Sequence, residues 1–280
     1  PDGATYGFGA LYLQYKYRFG TQLTFNGGLR SNRHTLEAQF PSGFYNFPFR
    51  GISLKGQALN FTAGLVWKNP HGFYLMGNLA TGYKAPNVDD AAKVFDSEPG
   101  KVIVPNPELG PEQAWNAELR TAKTWHDSHQ VEVAAFYTRL YHAMVRSPFT
   151  LNGQDTILYD GQPSQVQTLT NTDRATIYGL QASAKFSLYR SFVLQGHINF
   201  TRGQTAAGGP LRHVAPLFGD VRLEYNRPAL QIALYTLFNG EIGPARLAPS
   251  EREKTHMYKQ NENGKPYAPA WWTLNTKAQY

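Results

Sequence analysis

Residues 73–119 read FYLMGNLATGYKAPNVDDAAKVFDSEPGKVIVPNPELGPEQAWNAEL. A strand-like run from Phe73 ends in Tyr83, Lys84, Ala85, Pro86 and Asn87. An irregular acidic, Pro-rich passage follows, closes on Asn106, Pro107, Glu108 and Leu109, and gives way to a new strand near Gln113. Proline has no N–H to offer a ladder and fixes its own φ, so Pro86, Pro105, Pro107 and Pro111 stop the strands and stiffen both ends of the loop. The unit is strand, long loop, strand, and the rest of the chain repeats it.

Working outward, residues 8–19 place Leu11, Leu13, Tyr15, Tyr17 and Phe19 on one parity and Tyr12, Gln14, Lys16 and Arg18 on the other, which is the period of a strand. The same alternation marks strands near 22–38, 57–68, 73–83, 113–125, 129–145, 171–188, 192–201, 215–225 and 229–239, and one from 271 onward, about eleven in all. Long connections are expected near 40–56, 84–112, 146–170 (with room for a small hairpin), 202–213 and 240–270. Short ones fall near 20, 69–72, 126–128, 189–191 and 226–228. The two kinds alternate without exception, so an antiparallel meander sends every long loop to one rim and every tight turn to the other. Phe19, Trp67, Trp125, Tyr189, Phe192 and Tyr225 gather beside the tight turns, as an aromatic girdle at one membrane interface does. The expected fold is all-β, an antiparallel up-and-down transmembrane β-barrel or part of one. A soluble β-sandwich or β-solenoid also explains alternation, but not why long and short connections keep to their own ends.

Composition bounds the remaining classes. The chain has no cysteine, which excludes disulfides, Cys-ligated zinc and a thiol nucleophile. Its formal charge of +7 is spread over singly placed Lys and Arg with no basic stripe, so no nucleic-acid partner is expected. No run approaches the ~18 apolar residues of a membrane helix, a property that barrels share with soluble proteins. The opening PDGATYGFG has neither an initiator Met nor a leader pattern and reads as a mature chain or a fragment.

Tyr83-Lys84-Ala85-Pro86 followed by Asn106-Pro107-Glu108-Leu109 resembles the long-loop signature of the outer-membrane receptors that depend on TonB. Four further stretches resemble the same family in order: Asn116-Ala117-Glu118-Leu119; Thr176-Ile177-Tyr178-Gly179-Leu180-Gln181, with Gln where Glu is usual; Pro210-Leu211-Arg212-His213-Val214-Ala215-Pro216; and Ala270-Trp271-Trp272-Thr273-Leu274-Asn275. The resemblance implies a bacterial outer-membrane barrel of about 22 strands closed around a plug domain. This chain, 1–280, would supply roughly strands 10 to 20 of it, without the plug. It further implies a receptor rather than an enzyme, importing a scarce nutrient such as a ferric chelate, haem or cobalamin. Energy would come from TonB, ExbB and ExbD acting through the plug region absent from this chain. An open half barrel would leave two raw sheet edges, so other strands are expected to complete it. A surface barrel that captures or adheres to a macromolecule without importing it fits the same residues.

Candidate ligand-binding residues lie on the long-loop rim. Phe44, Tyr45, Phe47, Phe49 and Arg50 form the densest loop aromatic patch, suited to stacking on a flat or chelated anionic ligand. Tyr83, Lys84 and Asn87 sit where a strand opens into the longest loop. Asp89, Asp90, Asp96 and Glu98 offer hard oxygens that could take calcium, although their spacing follows no EF-hand pattern. No metal site is assigned beyond these. No nucleophile elbow or paired catalytic carboxylate stands out, and no catalytic residue is assigned. Arg120, Glu118, Arg222 and Glu224 are expected to line the lumen, facing a plug or one another. His142, His197 and His213 are placed near the long-loop rim.

Overall fold

The structure is a computed structural model that describes residues 3–41, 45–126, 128–189, 191–254 and 256–280. Eleven strands lie side by side in chain order. They are β1 (Ala4–Phe19), β2 (Leu23–Gln39), β3 (Gly51–Lys68), β4 (Phe73–Lys84), β5 (Glu112–Trp125), β6 (His129–Pro148), β7 (Gln162–Ser187), β8 (Phe192–Thr205), β9 (Phe218–Arg227), β10 (Leu230–Asn239) and β11 (Trp271–Gln279). Every neighbour pair on this path is antiparallel, from β1 against β2 to β10 against β11. The path does not return from β11 to β1, so the sheet is an open part of a barrel.

The alternation seen in the sequence becomes two faces. One register row carries Phe25, Leu65, Gly77, Leu119, Ala135 and Leu180 straight across the sheet. Leu59, Leu119 and Leu180 on this face are 66%, 58% and 53% exposed. Each Leu left in water would forgo ~1.5–3 kcal/mol of burial, so this face calls for an apolar surrounding. The other face is polar and bonds to itself: Asn116 Nδ2 donates to Thr138 Oγ1 at 2.8 Å, and Thr62 Oγ1 to Asn78 Oδ1 at 3.2 Å. Arg120 reaches Glu118 at 3.0 Å and Glu132 at 2.7 Å, while Arg222 lies 3.5 Å from Glu224. These lumenal charges pair with one another.

Tight turns close one end. Asn69 Oδ1 accepts from the N–H groups of His71 and Phe73, and Gly72 adopts φ +76°, where a side chain would be strained. Beside these turns Phe192 packs on Tyr225 at 5.0 Å and Trp67 on Phe73 at 5.7 Å between ring centres.

The other end is taller than the sequence suggested. β3 begins at Gly51, inside the stretch read as loop, because Ile52 and Leu54 continue the alternation beyond Pro48 and pack inward. β7 runs for 26 residues from Gln162 and β6 to Pro148, so most of the 146–170 connection is ladder. Its tip is the hairpin of Thr156–Tyr159 against Gln162–Gln165. The long 85–111 connection adds Phe95–Glu98 and Lys101–Val104, the latter lying parallel to Gln165–Thr168 of β7.

The apolar cores lie up here, above the sheet's exposed band. Leu36, Ala38, Ile52, Ala91, Ala92 and Leu109 form one cluster; Val102, Val104, Leu151 and Val166 form another. The strand wall is thin and the loops carry the packing.

Gly179, in the stretch resembling a family strand motif, shows what sets a small residue in the wall. A Cβ there would lie 2.7 Å from the Phe136 ring on β6, opposite which it is registered. Replacing it with Val is expected to destabilise the barrel by ~1–3 kcal/mol. The midpoint of heat-modifiable electrophoretic migration of the whole receptor should fall, with Gly77→Ala, where a Cβ meets open space, as the neutral control.

Candidate functional site

The site elements are the loop-covered rim and the wall beneath it. Tyr83, the last residue but one of β4, reaches across β3 to β2, its hydroxyl hydrogen-bonded to His34 Nδ1. His34 is 2% exposed and lies over Gly56, where a Cβ would meet its ring. Lys84 Nζ is 3.3 Å from Asp90 Oδ2, and Pro86 is buried. Asn87 Oδ1 accepts from Asp90 N at 2.8 Å while Asp90 Oδ2 accepts from Asn87 N at 3.2 Å, a capping box that starts the short helix α1 (Val88–Ala91). Ala91 and Ala92 then drop into the first core cluster.

The second element closes the loop. Asn106 N donates to Ala91 O at 3.0 Å, its Nδ2 donates to Leu169 O of β7 at 2.7 Å, and its Oδ1 accepts from Glu108 N at 2.9 Å. Leu109 is buried beside Leu36 and Ile52. Asn171 of β7 repeats the device, accepting from Gly110 N at 2.7 Å and donating to Gly110 O at 2.9 Å. The two sequence elements thus meet around α1 and pin the longest loop inward over the wall.

The aromatic patch is drawn into the same structure. Phe47 stacks on Phe49 at 5.4 Å and lies 5.1 Å from Phe40, and Tyr45 stacks on Tyr159 of the hairpin at 5.9 Å. Phe49 packs on the first core cluster and Phe47 on the second. Arg50 stays exposed, and Phe44 lies outside the described residues. Burial and the nearby Tyr159 and Asp160 push the Tyr45 phenol upward, so it stays neutral and able to donate a hydrogen bond.

The acidic residues do not converge. Asp90 is held by Lys84, Asp89 lies 3.6 Å from Lys93, and Glu98 lies 3.3 Å from Lys101. Asp96 sits in the loop strand opposite Val102. Among the described residues no group of three His, Asp or Glu is placed to hold a metal ion. His197 stands in mid-strand rather than at the rim, paired with Asp220 on the polar wall. His213 is at the rim, 3.9 Å from Glu251.

The charged 240–270 loop supplies a feature that residue spacing alone did not reveal. Glu251, at the short helix α2 (Pro249–Arg252), is buried; it receives Arg212 at 2.7 Å, Tyr258 Oη at 2.6 Å and Lys254 at 3.3 Å. Lys254 also reaches Glu98 at 3.6 Å, and Lys101 bridges Glu98 and Glu253 at 3.3 and 2.5 Å. Three separate long loops are thereby tied together. Burial alone would raise the Glu251 carboxyl, but the Tyr258 and Lys254 hydrogen bonds and the Arg212 charge outweigh it and hold its pKa at about 2. Burial and the bond to Glu251 push the Tyr258 phenol to about 12. Arg146 leans 5.8 Å from the Phe95 ring and is lowered first by burial and then by the Arg212 charge, with Glu98 opposing.

Set against known proteins, residues 1–280 match the family described as "TonB dependent receptor-like, beta-barrel". No curated protein sequence matches the chain. Among solved structures it superposes on the copper transporter OprC with a TM-score of 0.76 at 12% identity, covering 98% of this chain and 40% of that one. The siderophore receptor PirA of Acinetobacter baumannii gives 0.68 at 13% identity, covering 99% and 48%. The ferric yersiniabactin uptake receptor FyuA of Yersinia pestis gives 0.63 at 15% identity, covering 98% and 38%. The chain therefore spans less than half the length of each of these receptors.

The loop tie has a definite pH dependence. Glu251 is held below its usual 4.5, so its contribution is full above about pH 4.5 and is lost as pH falls through about 2. That gap corresponds to on the order of 3 kcal/mol. Protection from hydrogen exchange at 246–254, taken relative to the intrinsic rate at each pH, should hold down to about pH 4.5 and fall toward pH 2, while Glu251→Gln should lower it at neutral pH.

Proposed function

Because the chain belongs to the TonB-dependent receptor β-barrel family, we propose that it forms the ligand-facing wall and rim of an energised outer-membrane importer. The proposed cargo is an anionic metal chelate, with a ferric chelate as the first candidate. Haem and cobalamin remain within the same class of organometallic ligand. The reading rests above all on one observation: long loops gathered at a single end fold into a pinned cap that brings aromatic rings and cations together. Arg146 beside Phe95, and the exposed Arg50 that follows Phe49 in the chain, offer charge to such a ligand, and the stacked Phe47 and Phe49 offer a flat surface. Tyr45, Tyr83, Lys84 and Asn87 frame that surface, the last three by fixing the start of the longest loop. Calcium at Asp89, Asp90, Asp96 and Glu98 is not part of this proposal, since lysines already neutralise Asp89, Asp90 and Glu98.

On this account the barrel wall contributes position and selectivity, and no group in it carries out a chemical step. Movement inward would be driven through TonB, ExbB and ExbD acting on a plug region outside this chain. In the whole receptor, uptake of a radiolabelled ferric chelate into cells should be abolished by an uncoupler, while binding to the cell surface persists. Arg146→Ala and Arg50→Ala should each weaken chelate binding about tenfold, the equivalent of one lost charge-assisted bond. Binding without any uncoupler-sensitive uptake would support surface capture instead and would overturn the importer reading.

A further inference from the structure

The Glu251 carboxylate is held as a protein holds a carboxylate ligand. Its Oε1 accepts from Arg212 Nε at 2.8 Å and Nη2 at 2.7 Å and lies 3.3 Å from Lys254 Nζ, while its Oε2 accepts from Tyr258 Oη at 2.6 Å. Both oxygens are filled, and the side chain is 7% exposed. The donors are more open than the group they hold. Arg212, from the loop after β8, is 30% exposed, and its neighbour His213, whose Nε2 stands 3.9 Å from Oε1, is 78% exposed. The Arg212–His213 side is therefore the one from which another carboxylate reaches the same donors.

Positive charge exceeds negative around this point. Arg146, Arg212, Lys101 and Lys254 meet the carboxylates of Glu98, Glu251 and Glu253, four against three. Arg146 forms no ion pair among the described residues, and it lies close enough for the Arg212 charge to add to burial in lowering its pKa. It also leans on Phe95, so the Glu251 pocket adjoins the surface assigned to the cargo. Helix α2 has anchors that do not involve Glu251: Leu247 and Ala248 just before it are buried, and Arg252 Nε donates to Leu247 O at 2.9 Å.

We propose that Glu251 is a built-in competitor: it occupies a site that takes a carboxylate of the cargo, and a carboxylate-bearing ferric chelate displaces it and releases the tie among the three loops. A tethered group competes as though present at about millimolar concentration, and apparent affinity falls by the fraction of time the site is filled. Only a ligand that offers its own oxygens to Arg212 and Tyr258 makes up for the bonds that Glu251 gives away. Capture is then coupled to loosening of the loop, a step in which neutral chelates take no part. The cargo is that of the importer reading, on which the proposal rests, narrowed to chelates with free carboxylates.

The test uses the whole receptor in detergent, with ferric citrate as probe and a neutral trihydroxamate ferric chelate as comparison, read by calorimetry. Glu251→Gln should tighten ferric citrate about tenfold, and adding Arg212→Gln should abolish the gain. The neutral chelate should gain nothing from either change. Unchanged or weaker binding of ferric citrate by a folded Glu251→Gln receptor would make Glu251 a brace for the loops and overturn the proposal. If that variant fails to migrate as a folded barrel, the native receptor carries the test. Saturating ferric citrate should lower protection from hydrogen exchange at 246–254, and unchanged or raised protection would overturn the proposal. Failure of ferric citrate to bind either form would overturn it too, while uncoupler-sensitive uptake of a different chelate would show that the importer reading stands without it.

Discussion

A peptide group in hydrocarbon has no water to bond to, so each N–H and C=O there needs a partner within the protein. In this chain the ladders from β1 to β11 meet that demand in chain order, each strand bonded to the next. Much else follows from it. Residues alternate because a bonded sheet has two faces, and glycines such as Gly179 and Gly219 appear where a facing ring or carbonyl crowds the wall. The outer ladders of β1 and β11 face the same demand, which further strands would meet. Beyond the apolar band the same demand is met by other means. Asn69, Asn87 and Asn261 turn their side-chain amides onto backbone groups of the turns and loops, and Asn106 and Asn171 join the backbone of the longest loop to β7.

This division explains what could be read in the sequence. Eleven strands and their order were legible because apolar residues recur at every second position from Leu11 to Leu274, and three of the five tight turns, near 20, 69–72 and 226–228, carry Gly or Asn. Upper boundaries were less so. Gly51–Lys55 keeps the alternation through Ile52 and Leu54, but Pro48 and the run of loop aromatics before it disguise where the strand starts. In Gln162–Thr170 the buried positions are Ser164, Val166 and Thr168, two of them polar, so the inward face does not read as apolar. The motif positions Tyr83, Lys84, Pro86, Asn87, Asn106 and Leu109 were visible, but their joint role was not. It depends on contacts with His34, Leu169 and Leu36, which come from other strands. The Glu251 tie was hidden for the same reason: its partners Arg212, Lys254 and Tyr258, with Glu98 beyond them, come from three loops. The charge-rich run around Glu251 was its only local signal.

The rim thus combines rigidity and charge in distinct places. Two apolar clusters and the asparagine staples hold the 85–111 loop inward, and the salt-bridge chain through Glu251 links it to the loops that follow β8 and β10. Cations with unbalanced surroundings remain on both sides of the wall: Arg146 toward the capped interior, and Arg139, Arg174 and Arg202 toward the outside. Alternate residues of the same strands serve the two faces, so one sheet carries unpaired cations both toward the capped interior and toward the outside.

The central claim is that every long loop stands outside the cell and every tight turn on the periplasmic side. These 280 residues hold no cysteine, so with any cysteine elsewhere in the receptor replaced, a single introduced one reports its own position. Single substitutions Ala207→Cys, in the loop after β8, and His126→Cys, in the turn after β5, would be placed in the whole receptor. Intact cells would then be treated with a membrane-impermeant maleimide. The account predicts labelling at 207 in intact cells and at 126 only after the outer membrane is permeabilised. Labelling at 126 in intact cells, or protection at 207, would contradict it.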